Sequence, residues 1–371
     1  MTASTMAVFL VVAGARFLVP LLIPRFPLPA IVAALVLDAV DQTVFQSFGY
    51  DPPGYQGYDK AMDVYYLAIA YLATMRNWTS QPAIRIARFL YFYRLVGVLC
   101  FELTDWRPLL LIFPNTFEYF FIAYEILRLG WDPARRSARF WVVTTASIWI
   151  FVKLPQEWWI HIARLDVTDL LGEMPWLGPV VAAAAVVLGV VAWLVARPHV
   201  PARDWSWRVA AERLPLAMDS ADERDEWIAA NGRLRSVATI EKVVLVGFLS
   251  VIFAKVLPSR EATFAGLFFS VAVFVVLNAA ISLWFARESR STESVLVTFG
   301  LRTLINVGLM LAGWQMGGGG DLNYVNAFFF ILLLSLITLL DDRYRPVYGA
   351  RFPQARPAGL REAVAEPGIS R

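Results

Sequence analysis

About eleven long apolar runs, separated by short polar loops, decide what this chain can fold into. A helix needs about 20 apolar residues to cross the roughly 30 Å hydrocarbon core of a bilayer. A chain that offers this length repeatedly must satisfy its backbone polar groups within helices. The runs fall at 5–24, 28–48, 59–78, 83–103, 109–129, 140–160, 177–195, 240–257, 264–285, 295–314 and 324–340. With 58% hydrophobic and 17% charged residues among 371, water is not the main solvent. The expectation is an all-α, polytopic integral membrane helix bundle. No basic stretch precedes the first run and a second follows at once, so it reads as a span and not as a cleavable signal peptide.

Arginines in the loops set the orientation, because cytoplasmic loops carry the excess of positive charge. Arg128, Arg135, Arg136 and Arg139 fall in one loop, and Arg287 and Arg290 in another. The segment 197–235 and the tail with Arg343, Arg345 and Arg351 are also basic. Alternate loops at 50–58, 166–173 and 317–321 are acidic or nearly neutral. The pattern places the N-terminus outside and the C-terminus in the cytoplasm. Arginine outnumbers lysine, which is confined to Lys60, Lys153, Lys242 and Lys255; this reads as a bacterial coding bias and hence a plasma (inner) membrane protein.

The net charge of +3 is spread over loops rather than gathered in a patch, so no nucleic acid partner is expected. A single cysteine, Cys100, excludes an internal disulfide, paired-thiol redox chemistry and iron–sulfur ligation. His161 and His199 are too few for a histidine metal centre, and neither a metal site nor a cofactor is expected. The glycine run at 317–320 follows an apolar run instead of opening one, so it is no phosphate cradle. No nucleophile elbow, zinc-protease helix or P-loop is present. The aspartate-rich stretches of polyprenyl transferases are also missing.

The chain divides into a charge-containing bundle at 1–165, an outer loop and helix at 166–196, a cytoplasmic amphipathic connector at 197–238, an apolar bundle at 239–342 and an unstructured cytoplasmic tail at 343–371. The connector, with Trp205, Trp207 and Trp227, suits the membrane surface or a membrane-protein partner.

Ionisable residues inside a bilayer cost several kcal/mol unless paired or hydrated, so each one needs an account. At about 1.5 Å per residue, Arg16, Asp38, Arg94 and Glu118 lie near the midplane of four different runs. Asp41 and Asp63 lie further out. Lys153, Glu157 and His161 are spaced by four and share one face of the sixth run, where Pro155 is expected to bend the helix. Asp38, Asp41 and Gln42 share a face of the second run, and Asn115, Glu118 and Glu125 belong to the fifth. Arg94 is expected to pair with Asp38 or Glu118, and Arg302 with Asn306 to tie the second half to the first.

This pattern predicts transport or permeation of a small solute or ion through an outward-facing polar cavity in the first six helices, proton-linked through Asp38 and Glu118. In it Arg16 and Arg94 supply counter-charge, while Asp41, Asp63, Lys153, Glu157 and His161 line the path. Two alternatives use the same residues. One is a membrane enzyme acting on a lipid or lipid-linked substrate; the other is a non-catalytic assembly subunit whose charges only specify packing.

Overall fold

The computed structural model of the protein describes residues 3–49, 55–163, 202–215, 220–231, 236–256 and 324–353, with scattered positions elsewhere. All regular structure among the described residues is helical. The elements are α1 (Ala3–Leu18), α2 (Pro27–Ser47), α3 (Tyr55–Asn77), α4 (Gln81–Thr104), α5 (Pro108–Ile112) and α6 (Thr116–Arg128), followed by α7 (Ala138–Ile148), α8 (Leu154–Glu157), α9 (Ala221–Asn231), α10 (Val237–Val256) and α11 (Tyr324–Arg351). Among the described residues, three stretches are long and apolar enough to cross a membrane: Thr5–Leu22, Pro27–Ser47 and Pro108–Arg128. The expected run 264–285 and most of 177–195 and 295–314 lie outside the described residues, as do Arg302, Asn306 and the glycine run.

The core is built around α3. Almost every residue at 61–75 is buried, and a helix apolar on all sides must be enclosed by others. α2, α4, α10 and α11 pack around it, together with the turn Val19–Leu22 that ends α1. Its buried tyrosines find acceptors, as amphipathic rings must when enclosed. Tyr65 donates to Phe17 O at 3.0 Å, Tyr66 to Glu118 Oε1 at 2.7 Å, and Tyr71 to Glu241. Tyr71 stacks on Tyr91 of α4 and Trp78 on Tyr124 of α6, with ring centroids 4.6 Å and 3.8 Å apart.

Local chemistry explains several boundaries. Prolines stand in the first turns of α2, α4 and α5, where a missing N–H costs nothing. Ser137 caps α7 by accepting from the Phe140 N–H. α4 stops at Asp105, which adopts the left-handed region at φ 54°.

The structure departs from the sequence reading in three places. The run 109–129 is not one helix: it breaks between α5 and α6 at Phe113, Pro114 and Asn115. Proline pushes the preceding residue out of helical geometry, and Phe113 sits at φ −111° and ψ 65°. The sixth run does not simply bend at Pro155. It carries a π turn on each side, Trp149–Lys153 and Trp158–Ile162, which absorb the lost hydrogen bond by re-registering the backbone. Lastly, α11 continues through Pro346 to Arg351, so the part of the tail before residue 352 is helical and not unstructured.

The connector at 202–215 has no helix. It is held by backbone hydrogen bonds from Asp204 and Trp205 to Gly130 O, at 3.2 and 3.3 Å, and from Ala211 to Arg25 O at 2.8 Å. α9 packs on α11, with the Trp227 ring so close that a Cβ on Gly349 would lie 2.3 Å from it.

Candidate functional site

Two polar networks occupy the helical core. The first surrounds Arg16, whose side chain is 3% exposed on α1. It pairs with Asp38 and Asp41 of α2, with Asp59 of α3 at 2.6 Å and with Asp63 of α3 at 2.9 Å. Asp38 and Asp41 are three residues apart and Asp59 and Asp63 four apart, so each pair shares a helix face. Those faces meet across the guanidinium. Asp41 is sealed, whereas Asp38, Asp59 and Asp63 remain 26%, 33% and 40% exposed. Carboxylates outnumber the one cation, and oxygens of Asp38, Asp59 and Asp63 lie within 4.8 Å of one another. Such a group attracts a proton or a hard cation, because crowded anions in a low-dielectric place lose energy by sharing one.

The second network grows from the helix break. Pro114 leaves carbonyls at the end of α5 without helical donors, and α4 supplies them: Tyr93 donates to Ile112 O at 2.9 Å and Arg94 to Phe113 O at 3.0 Å. α4 can approach this closely because Gly97 has no side chain; a Cβ there would lie 2.1 Å from Phe113 Cβ. At the start of α6, Glu118 accepts from Tyr66 and from Asn115 Nδ2, the latter at 3.0 Å. A carboxylate in the first turn also suits the positive end of the helix dipole. The Asn115 N–H donates to Glu157 Oε1 at 3.2 Å, and that oxygen lies 3.3 Å from Lys153 Nζ. Lys153 donates to Gln156 Oε1 at 2.9 Å and stands 4.7 Å above the Tyr119 ring. The π turns beside Pro155 set Lys153 and Glu157 inward while Trp158 and Trp159 face out.

Tyr66 joins the two networks. It lies three residues after Asp63 on the same face of α3, so one helix presents a first-network carboxylate and a second-network donor side by side. Of the residues singled out from sequence, Arg16, Asp38, Asp41 and Asp63 meet in the first network. Glu118, Lys153 and Glu157 meet in the second. Arg94 enters it through a main-chain carbonyl rather than through a carboxylate. The side chain of His161 lies outside the described residues. Asp59 and Tyr66 were not singled out, although Asp59 stands one helical turn before Asp63.

A third group lies at the other end of the helices. Glu125 of α6 accepts from Trp78 Nε1 at 2.8 Å and from Arg128 Nε at 2.7 Å, all three side chains being buried. Arg128 also holds the connector, at 3.0 Å to Ala210 O and 3.3 Å to Glu212. Arg351 donates to Arg76 O and Trp78 O, both at 2.9 Å. Nearby, Glu241 of α10 accepts from Tyr71 and lies 3.6 Å from Arg88 and 3.5 Å from Arg345 of α11. Burial pushes the Arg345 guanidinium down, but Asp341 and Glu241 outweigh it and the net shift is upward. These contacts close the ends of α3, α4, α6, α10 and α11 on one another.

The fold and these networks define a helical protein with apolar helices of membrane-spanning length and a charged core. No protein-family model matches the chain, and comparison with curated proteins and with solved structures finds no match either.

Proposed function

We propose that this chain is a multi-pass plasma-membrane protein of about eleven spans, N-terminus outside, that carries a small cation, the proton included, through the charged interior of α1–α8. The reading rests on one observation above all: four aspartates converge on the single Arg16, and three of them stay partly exposed. A purely structural ion pair needs only as many carboxylates as cations, since each extra buried charge adds desolvation cost. A surplus that keeps contact with solvent is what a cation-binding entrance requires. Inward from it, Tyr66, Glu118, Asn115, Glu157 and Lys153 provide the next polar layer, at a broken helix of the kind that lines solute paths in membranes. The inner contacts of Glu125, Arg128 and Glu241 then close the opposite end. The arginine-rich loops support the orientation.

The test is reconstitution of the purified chain in liposomes, with currents recorded on rapid steps of proton, sodium or potassium concentration. A saturable current for one of these, lost in both Asp38→Asn and Asp63→Asn while the protein stays folded, is the expected result. Absence of current for all three ions in well-folded protein removes the reading.

A second reading is favoured by the close approach of Asp38, Asp59 and Asp63. Three carboxylates at this spacing suit a divalent cation in an enzyme that acts on a lipid-linked phosphate. Manganese bound with a distinct electron-spin signature, together with phosphate release from such a lipid that needs all three aspartates, would select it over transport.

A further inference from the structure

We infer that the outer face of α7 is a binding groove for one anionic phospholipid of the cytoplasmic leaflet. The inference uses the membrane placement of α7 and not the cation pathway. A shallow groove of about 600 Å³ runs along α7 beside α6, and none of its lining residues belongs to either charged network. Phe140, Val143, Ser147 and Ile148 recur at helical spacing along it, and Ala123 of α6 contributes a small side chain. Its walls are therefore mostly apolar.

One end differs. Arg139 lines the groove there beside Ser137, the capping residue of α7, so an exposed guanidinium and the positive end of a helix stand together. Arg136, which precedes the cap, does not line the groove. Arg135 is neutralised in part by Asp132 and Asp204, at 3.4 and 3.5 Å, which leaves Arg139 as the positive charge at the mouth of the groove. From Arg139 to Ile148 the helix rises roughly 14 Å at 1.5 Å per residue. That is close to the depth of one leaflet of a roughly 30 Å core. A charged mouth with an apolar slot one leaflet deep fits a phosphate headgroup and its acyl chain, and basic residues at a membrane surface favour anionic lipids. A wholly apolar partner helix would have no use for the charged mouth.

The experiment is native mass spectrometry of the full chain released from nanodiscs of equal phosphatidylglycerol and phosphatidylcholine. Retention of phosphatidylglycerol over phosphatidylcholine is expected. It should fall about fivefold in Arg139→Ala, the effect of losing one basic contact near the surface, and comparably in Val143→Trp, which fills the slot. Both positions are exposed, so folding is preserved and is checked by helix content. Equal retention of the two lipids, or retention that neither substitution changes, overturns the inference. A photo-crosslinker at position 143 that labels only protein would also overturn it, by showing that a segment of this chain or a second copy fills the groove.

Discussion

Arg16 of α1 and Asp63 of α3 stand 2.9 Å apart, and the same guanidinium also binds Asp38, Asp41 and Asp59. One arginine thus holds two acidic helix faces together. The arrangement has an energetic consequence that can be measured. Arg16→Ala leaves the sealed Asp41 without its cation, and breaking a buried pair from one side costs about 3–5 kcal/mol. Thermal unfolding in detergent should show a large loss for Arg16→Ala. A smaller loss is expected in the double variant with Asp41→Asn, because the orphaned charge is gone.

The helix break depends on Gly97. A methyl group there would collide with Phe113, and overpacking of this kind costs about 1–3 kcal/mol. Gly97→Ala should lower the unfolding temperature, and adding Phe113→Gly, which removes the Cβ nearest the clash, should recover part of the loss. Equal stability of Gly97→Ala and the parent protein would mean that α4 does not pack on the break this closely.

Tyr66→Phe removes one donor from Glu118 and leaves the ring in place. A hydrogen bond to a charged group contributes about 1.5–3 kcal/mol. The variant should be less stable by that order, and any cation current should fall. Asn115→Ala, which removes the other side-chain donor to Glu118, should act in the same direction.

Much of the first network can be read from sequence, and the reason is geometric. Asp38 and Asp41 share a face because they are three residues apart, and counting residues from a helix end places Arg16 and Asp38 at one depth, with Asp41 and Asp63 further out. Depth is one coordinate only. Which way a face turns depends on the neighbouring helices, so the sequence shows that Glu118 is buried but not that Tyr66 reaches it. Asp59 escaped notice because it begins its apolar run and looks like a loop charge. The break at Pro114 was hidden for a different reason: a window of about 20 residues averages over three irregular positions, and Leu110, Ile112 and Phe113 keep the stretch apolar. The sequence pairs Arg94 with a carboxylate, whereas the break presents the Phe113 carbonyl, which accepts from it at 3.0 Å. Glu241 and Arg345 meet because α10 packs on α11 and both pack on α3.

Arg128 joins α6 to the connector through Ala210 O and Glu212. Arg128→Ala should leave Glu125 buried without its cation, at a cost of about 3–5 kcal/mol, and release residues 202–215. Limited digestion with an arginine-specific protease checks the second effect. Cleavage after Arg203, Arg208 or Arg213 should become faster in the variant than in the parent, and Arg128→Lys should fall between them.

The most direct test of the cation-binding entrance uses the single cysteine. In a Cys100→Ala background, Asp63→Cys is exposed to membrane-impermeant thiol reagents of opposite charge, one a quaternary ammonium and one a sulfonate. The three remaining aspartates around Arg16 should draw in the cationic reagent, so its reaction from outside should be faster by about tenfold, in line with charge focusing at a lined cleft. Equal rates for the two reagents, or no reaction from outside in folded protein, would contradict an outward-open acidic site.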